Sequence, residues 1–283
     1  MNRFYATALC LAAFAVAVPA AAQEDAAQSA PITIGTTHLL EYAPGDQREI
    51  NVFLPQGYED GGSYPVLYLI DGGLAQDFLQ TIGVARLNDS LERSRPAIIV
   101  GVQTKDRQAE LLDTPGSIKQ EREAFPTAGN GARFRSFLRD KVIPEIDAHY
   151  RTSGERAVLG ESVAGLFIVN TWLDEPSLFT SYAAINPSLW WNQAANGQRA
   201  AKKVADGAER GRIYLTYSNE GPITAGAMTM VAAAAADRGC LVPRPDLTHA
   251  TTYQQVMPQA LQFLFPTGAE FDEEMGFALD CAG

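Results

Sequence analysis

The chain has 283 residues, 46% apolar and 19% charged, ordinary proportions for a globular protein that exclude a disordered or fibrous chain. That length supplies one large domain with a substantial buried core, or at most two small ones. A formal charge of −11 repels phosphate backbones. Nucleic acid and anionic membrane surfaces are therefore poor partners, and neutral or cationic small molecules are easier to accommodate.

Arg3 precedes a mostly apolar run over residues 4–18, followed by Pro19, Ala20, Ala21 and Ala22. A basic start, an apolar middle and a small-residue cleavage site predict a signal peptide over residues 1–22 and a periplasmic or secreted protein. The run is shorter than the roughly 20 residues a spanning helix needs, so no stable membrane insertion is expected. Residues 23–31 are polar and Ala-rich, a flexible leader, and residues 32–283 are expected to form one domain.

Two β-rich stretches, 32–40 and 48–54, flank the turn-prone Ala43-Pro44-Gly45-Asp46 and predict an opening antiparallel hairpin. The continuous apolar runs 65–70 and 97–102 read as central parallel strands about thirty residues apart, as in a βαβ unit. Between residues 134 and 150, Phe134, Phe137, Leu138, Val142, Ile143 and Ile146 recur at helical spacing. Pro144 is expected to kink or restart that helix. A short strand over 156–159, an apolar helix over 163–173, strands over 181–185 and 212–217, and helices near 225–236 and 253–265 follow. Alternating strands and helices predict an α/β fold, a mostly parallel sheet covered on both faces, with its chemistry at the carboxyl ends of the strands.

Gly160-Glu161-Ser162-Val163-Ala164-Gly165 sits between a predicted strand and a predicted helix. A serine on a strained strand-to-helix turn needs small residues two positions either side, and this segment places Gly160 and Ala164 there. Such a turn sets Ser162 at a helix amino-terminus, where unpaired N–H groups meet a developing oxyanion. A serine hydroxyl needs a general base, and the chain has three histidines. His38 lies in the first strand and His149 ends a helix. His249, in the polar loop ahead of the last helix, is the expected base. Activity should then fall as acid protonates the imidazole.

Glu220, after the strand 212–217, gives the chain order serine, acid, histidine. Asp246 competes, three residues before His249, and a Ser-His dyad without an acid is the third possibility. The oxyanion hole is expected to use the backbone N–H groups of Val163 and Gly73. Cys240 and Cys281 are the cysteines left after cleavage, and an oxidising compartment lets them pair. They do not make a zinc site, because neither HExxH nor paired CxxC accompanies them. No metal is expected.

The elbow, with Phe53-Leu54-Pro55-Gln56-Gly57-Tyr58, Tyr64-Pro65-Val66-Leu67-Tyr68-Leu69-Ile70-Asp71-Gly72, Val100-Gly101-Val102, Asp106-Arg107 and Asn186-Pro187-Ser188-Leu189-Trp190-Trp191, resembles the esterase D and enterochelin esterase group of α/β-hydrolases. The resemblance runs in order from about Arg48 to Phe265. It implies the α/β-hydrolase fold, carboxylic-ester hydrolysis through an acyl-enzyme and no cofactor. Residue by residue it places the nucleophile on Ser162, the base on His249 and the oxyanion amides on Gly73 and Val163. The group's elbow commonly reads G-H-S-x-G-G, so Glu161 and Ala164 depart from it. Trp190 is expected to wall the substrate pocket and Arg107 to approach it from a loop. Acyl transfer on the same site, or a non-catalytic binding protein that kept the fold, are the alternatives.

Overall fold

The computed structural model describes residues 29–271 and 273–281. The expected signal peptide and most of the leader lie outside the described residues. Strands β1 (Thr36–Ala43) and β2 (Asp46–Phe53) open the fold, followed by β3 (Tyr64–Ile70), α1 (Phe78–Ser90) and β4 (Ile98–Val102). Next come α2 (Arg107–Leu111), α3 (Lys119–Ala124), α4 (Gly131–Phe137), α5 (Ile143–His149), β5 (Thr152–Glu161) and α6 (Val163–Asp174). The chain then runs through β6 (Ser181–Ile185), α7 (Trp191–Val204), β7 (Arg212–Tyr217), α8 (Pro222–Ala235), β8 (Gly239–Pro243) and α9 (His249–Leu264).

The strands form one eight-stranded sheet in the order β1-β2-β4-β3-β5-β6-β7-β8. Contacts β1/β2 and β2/β4 are antiparallel, and the rest of the sheet is parallel. Strand periodicity splits the core. Val66, Tyr68 and Ile70 of β3 join Phe134, Phe167 and Trp172 on one face, while Leu67 and Leu69 pack with Phe78, Val256 and Leu261 on the other. Both faces are thus buried, which is why β3 and β4 read as unbroken apolar runs.

Between α4 and α5 a π-helical turn, Leu138–Val142, carries the chain into Pro144 near the start of α5. A proline lacks the N–H that a regular helix would require there, and the wide turn absorbs the mismatch. Several elements differ from the sequence expectation. Strand β5 begins at Thr152 because it pairs with β3 from Tyr64 onward, despite a polar first half. α9 begins at His249 rather than near Tyr253, because Thr248 caps it and exchanges hydrogen bonds with Thr251. His249 is therefore the first residue of a helix, not part of a loop. Strand β8 and helices α2, α3 and α7 have no counterpart among the sequence expectations, and Arg107 is the first residue of α2 rather than part of a loop, because Asp106 caps that helix.

Cys240 on β8 is disulfide-bonded to Cys281, 41 residues on, with a Cα separation of 4.7 Å. Closing a ring of that size restricts the unfolded chain by up to about 4 kcal/mol. Reductant, or the pair Cys240→Ala and Cys281→Ala, should therefore lower the urea midpoint. An unchanged midpoint would show that the bridge contributes nothing to stability.

Candidate active site

At the carboxyl end of β5 the chain turns through Ser162, at φ 59° and ψ −117°, into α6. Positive φ is strained for a residue with a side chain, and the neighbours are cut to permit it. A Cβ on Gly160 would stand 2.8 Å from the Ala164 Cβ, and one on Gly165 would stand 3.0 Å from the Ile185 carbonyl oxygen. Ala164, the departure from glycine, is fully buried in the space that Gly160 leaves. The elbow is also pinned to β6, since the Ser162 N–H donates to the Ile185 oxygen at 2.9 Å and the Ser188 N–H to the Ser162 oxygen at 3.0 Å.

From the start of α9, His249 reaches back to this turn. Its Nε2 lies 3.1 Å from Ser162 Oγ, and its Nδ1 lies 2.7 Å from Glu220 Oε1. Glu220 stands just past β7, on the adjoining side of β6. Serine, imidazole and carboxylate thus form one line of hydrogen bonds drawn from the ends of three elements. Asp246 takes no part: both its oxygens are held by Arg244, at 2.9 and 2.7 Å. The other two histidines are elsewhere, His38 between Glu145 and Tyr150, and His149 on Glu145.

Val163 opens α6, so its N–H has no acceptor within the helix and sits at the positive end of the helix dipole. The β3/β5 register pairs Leu69 with Leu159, so β3 and β5 end within about a residue of one another and the segments carrying Gly73 and Val163 leave the sheet at adjacent strand ends. Gly73 N–H donates to Gln76 Oε1 at 2.9 Å, and Gln76 Nε2 donates to the Thr104 oxygen at 3.1 Å. A substrate oxygen has to take the place of the Gln76 carbonyl to use that amide. Arg107 does approach this region, but it pairs with the buried Asp71 at 2.8 Å rather than with Asp106, which instead caps α2. Trp190 is half-buried and lies against Phe125 and Trp191, with ring centroids 5.8 and 6.0 Å apart. Trp191 is buried, and its neighbour Asn192 donates its N–H to Glu121 of α3. The segment between β4 and α4 therefore backs this aromatic pair. Gln76 and Phe125 carry no motif, and only their contacts in the fold mark them.

Glu161 adds a second carboxyl beside the elbow. Burial pushes it up to about 7, with Asp77 adding to the push and His249 and Arg107 opposing it. Its Oε1 is buried without a hydrogen-bond partner. Burial, and then Asp71, likewise push Asp77 up to about 6, against Arg107. From its ordinary 4.5 up to about 7, the folded protein keeps a proton on Glu161 that the unfolded chain releases. Stability is therefore full below that range and declines as pH rises through it. Thermal melts between pH 4.5 and 8 should show Glu161→Gln closest to wild type at the acid end and more stable at the alkaline end. Parallel melting curves across the series would refute a buried, proton-binding Glu161.

Among the described residues, no cluster of His, Cys, Asp and Glu could hold a metal ion, and no helix is long and apolar enough to cross a membrane.

This sheet order, with a serine elbow after β5 and a histidine after the last strand, defines the α/β-hydrolase fold. The chain belongs to the family described as putative esterase, whose profile matches residues 42–238. It is 34% identical over 174 residues to the siderophore enterobactin esterase of Emericella nidulans, covering 54% of this chain and 55% of that one. It is 23% identical over 174 residues to the ferri-bacillibactin esterase BesA of Bacillus subtilis, covering 56% and 60%. The chain thus spans little more than half the length of these curated relatives. Among solved structures, the siderophore hydrolase EstA of Aspergillus nidulans superposes with a TM-score of 0.72 at 17% identity, over 86% of this chain and 99% of that one.

Proposed function

We propose that the protein is a serine esterase that cleaves carboxylic esters through an acyl-enzyme, and that its substrates are ester-linked siderophores or their fragments. The observation that carries the reading is the hydrogen-bonded line Ser162 Oγ, His249 Nε2 and Nδ1, Glu220 Oε1 at a helix amino-terminus. Ser162 Oγ attacks the ester carbonyl while His249 Nε2 takes its proton, and Glu220 balances the imidazolium charge. Val163 N–H, joined by Gly73 N–H once Gln76 gives way, receives the oxyanion. His249 then returns the proton to the departing alcohol, and water repeats the sequence in reverse to free the acid and Ser162. Trp190 would border the substrate and Arg107 would sit near it. The siderophore part of the reading follows the relatives named above.

Export to the periplasm or medium belongs to the same reading. It is supported by the residue pattern of 1–22 and by the Cys240–Cys281 bridge, which suits an oxidising compartment.

The full chain without residues 1–22 should react with a fluorophosphonate probe and hydrolyse short p-nitrophenyl esters. It should also release linear products from enterobactin. A protein that neither takes the probe nor turns over any ester is not an esterase. One that cleaves only the p-nitrophenyl esters keeps the chemistry and loses the siderophore assignment.

A further inference from the structure

Asn186 follows β6 at φ 46° and is 1% exposed. Its backbone N–H donates to the Thr216 oxygen at 2.7 Å, which ties it to the end of β7. Its side-chain oxygen accepts the Ser218 backbone N–H at 3.0 Å. A backbone N–H can only donate, so that contact fixes which way the amide points: its NH2 faces the acid and the imidazole. There Nδ2 lies 3.0 Å from Ser218 Oγ, 3.1 Å from Glu220 Oε1 and 3.0 Å from His249 Nδ1. Ser218 Oγ is a further neighbour of Glu220 Oε1, at 3.1 Å.

An amide nitrogen offers hydrogens and accepts none. Two arrangements of protons are therefore open to this cluster. In the first, His249 carries its proton on Nδ1 and gives it to Glu220, Asn186 donates to the same carboxylate, and Nε2 presents a bare lone pair to Ser162. In the second, His249 carries its proton on Nε2, and Asn186 donates to the bare Nδ1. That imidazole has no lone pair facing Ser162. Only the first can take the serine proton. The negative charge on Glu220 selects it, because a hydrogen bond to a charged acceptor is about twice as strong as a neutral one.

Resting on the esterase reading above, we infer that Asn186 is the positioning residue of the acid and base: its amide holds the Glu220 carboxylate against His249 and makes the working imidazole tautomer depend on that carboxylate. Asn186 thus sets the site to operate as a triad and not as a dyad. Without the acid, the amide itself captures Nδ1 and parks the proton on the wrong nitrogen.

The test is a two-residue cycle in the full chain, read with a p-nitrophenyl ester. In the wild-type background Asn186→Ala should lower kcat about tenfold, the worth of one charge-assisted hydrogen bond, with KM little changed. In the Glu220→Ala background the sign reverses. Adding Asn186→Ala should raise kcat severalfold over Glu220→Ala alone, and adding Asn186→Asp, which puts an acceptor within reach of Nδ1, should raise it further. A residue that serves only to hold the fold would make each double variant no better than Glu220→Ala, and that result overturns the inference. Imidazole nitrogen NMR gives a reading independent of turnover. The His249 proton should sit on Nδ1 in the wild type and on Nε2 in Glu220→Ala; the same tautomer in both also overturns it. Failure of the esterase reading looks different, since the wild type itself would then lack turnover and probe labelling.

Discussion

Ser162→Ala should lower kcat for any ester the protein cleaves by on the order of 10⁶-fold, the scale seen when a triad nucleophile is removed, and should abolish fluorophosphonate labelling. The effect is this large because, among the described residues, Ser162 supplies the one hydroxyl hydrogen-bonded to His249 Nε2. Ser188 Oγ lies 3.4 Å from Ser162 Oγ, but His249 Nε2 is hydrogen-bonded to Ser162 and not to Ser188. The fold should survive the change. Alanine keeps the Cβ and loses only an oxygen whose partners are Ser188 and His249, while the strained φ of 59° is held by backbone bonds to Ile185 and Ser188. Circular dichroism and melting temperature should match the wild type. Turnover retained within tenfold would remove Ser162 from the chemistry.

What the sequence discloses here is what local physics determines. Strands buried on both faces announce themselves as apolar runs, so Ser181–Ile185 and Arg212–Tyr217 are read to the residue. The elbow is legible because a serine at positive φ demands small neighbours within a few positions. Features set by distant contacts are hidden. The polar start of β5 is a strand only because β3 lies beside it. Helix α7 is hard to read because its buried positions after Trp191 are Asn196, Gly197 and Ala200, too polar or too small to mark an apolar face. The start of α9 escapes because its capping box uses Thr251 where glutamate or glutamine is the usual signal. Within the site, the chain order Ser162, Glu220, His249 is legible, and the fold joins these three side chains by hydrogen bonds. The closure of Gly73 by Gln76 is not legible, and neither is the grip of Asn186 on Glu220. Each depends on side chains meeting across separate strand ends, to which no spacing rule applies.

The choice among Glu220, Asp246 and no acid at all was open in the sequence, and the geometry turns it into a measurable difference. Glu220→Gln should lower kcat by about 10⁴-fold, the cost known for an amide in place of the triad carboxylate. Asp246→Asn should leave kcat within about twofold, a change of the size ordinary at exposed sites away from such features. The reasoning is electrostatic as well as positional. A glutamine side chain has the shape of glutamate, but it brings no charge to balance the imidazolium, and its NH2 can donate to a bare Nδ1, as the Asn186 amide can once the carboxylate is gone. Both neighbours would then favour the tautomer that leaves Nε2 protonated against Ser162. Asp246 already spends both oxygens on Arg244, in an exposed pair that contributes little. Because Glu220→Gln preserves volume, KM should stay close to wild type while kcat falls, which separates lost chemistry from lost binding. If Asp246→Asn proved the more damaging of the two, the acid would be Asp246, and α9 would have to shift to bring it to His249. If both variants retained full activity, serine and histidine would be working as a dyad.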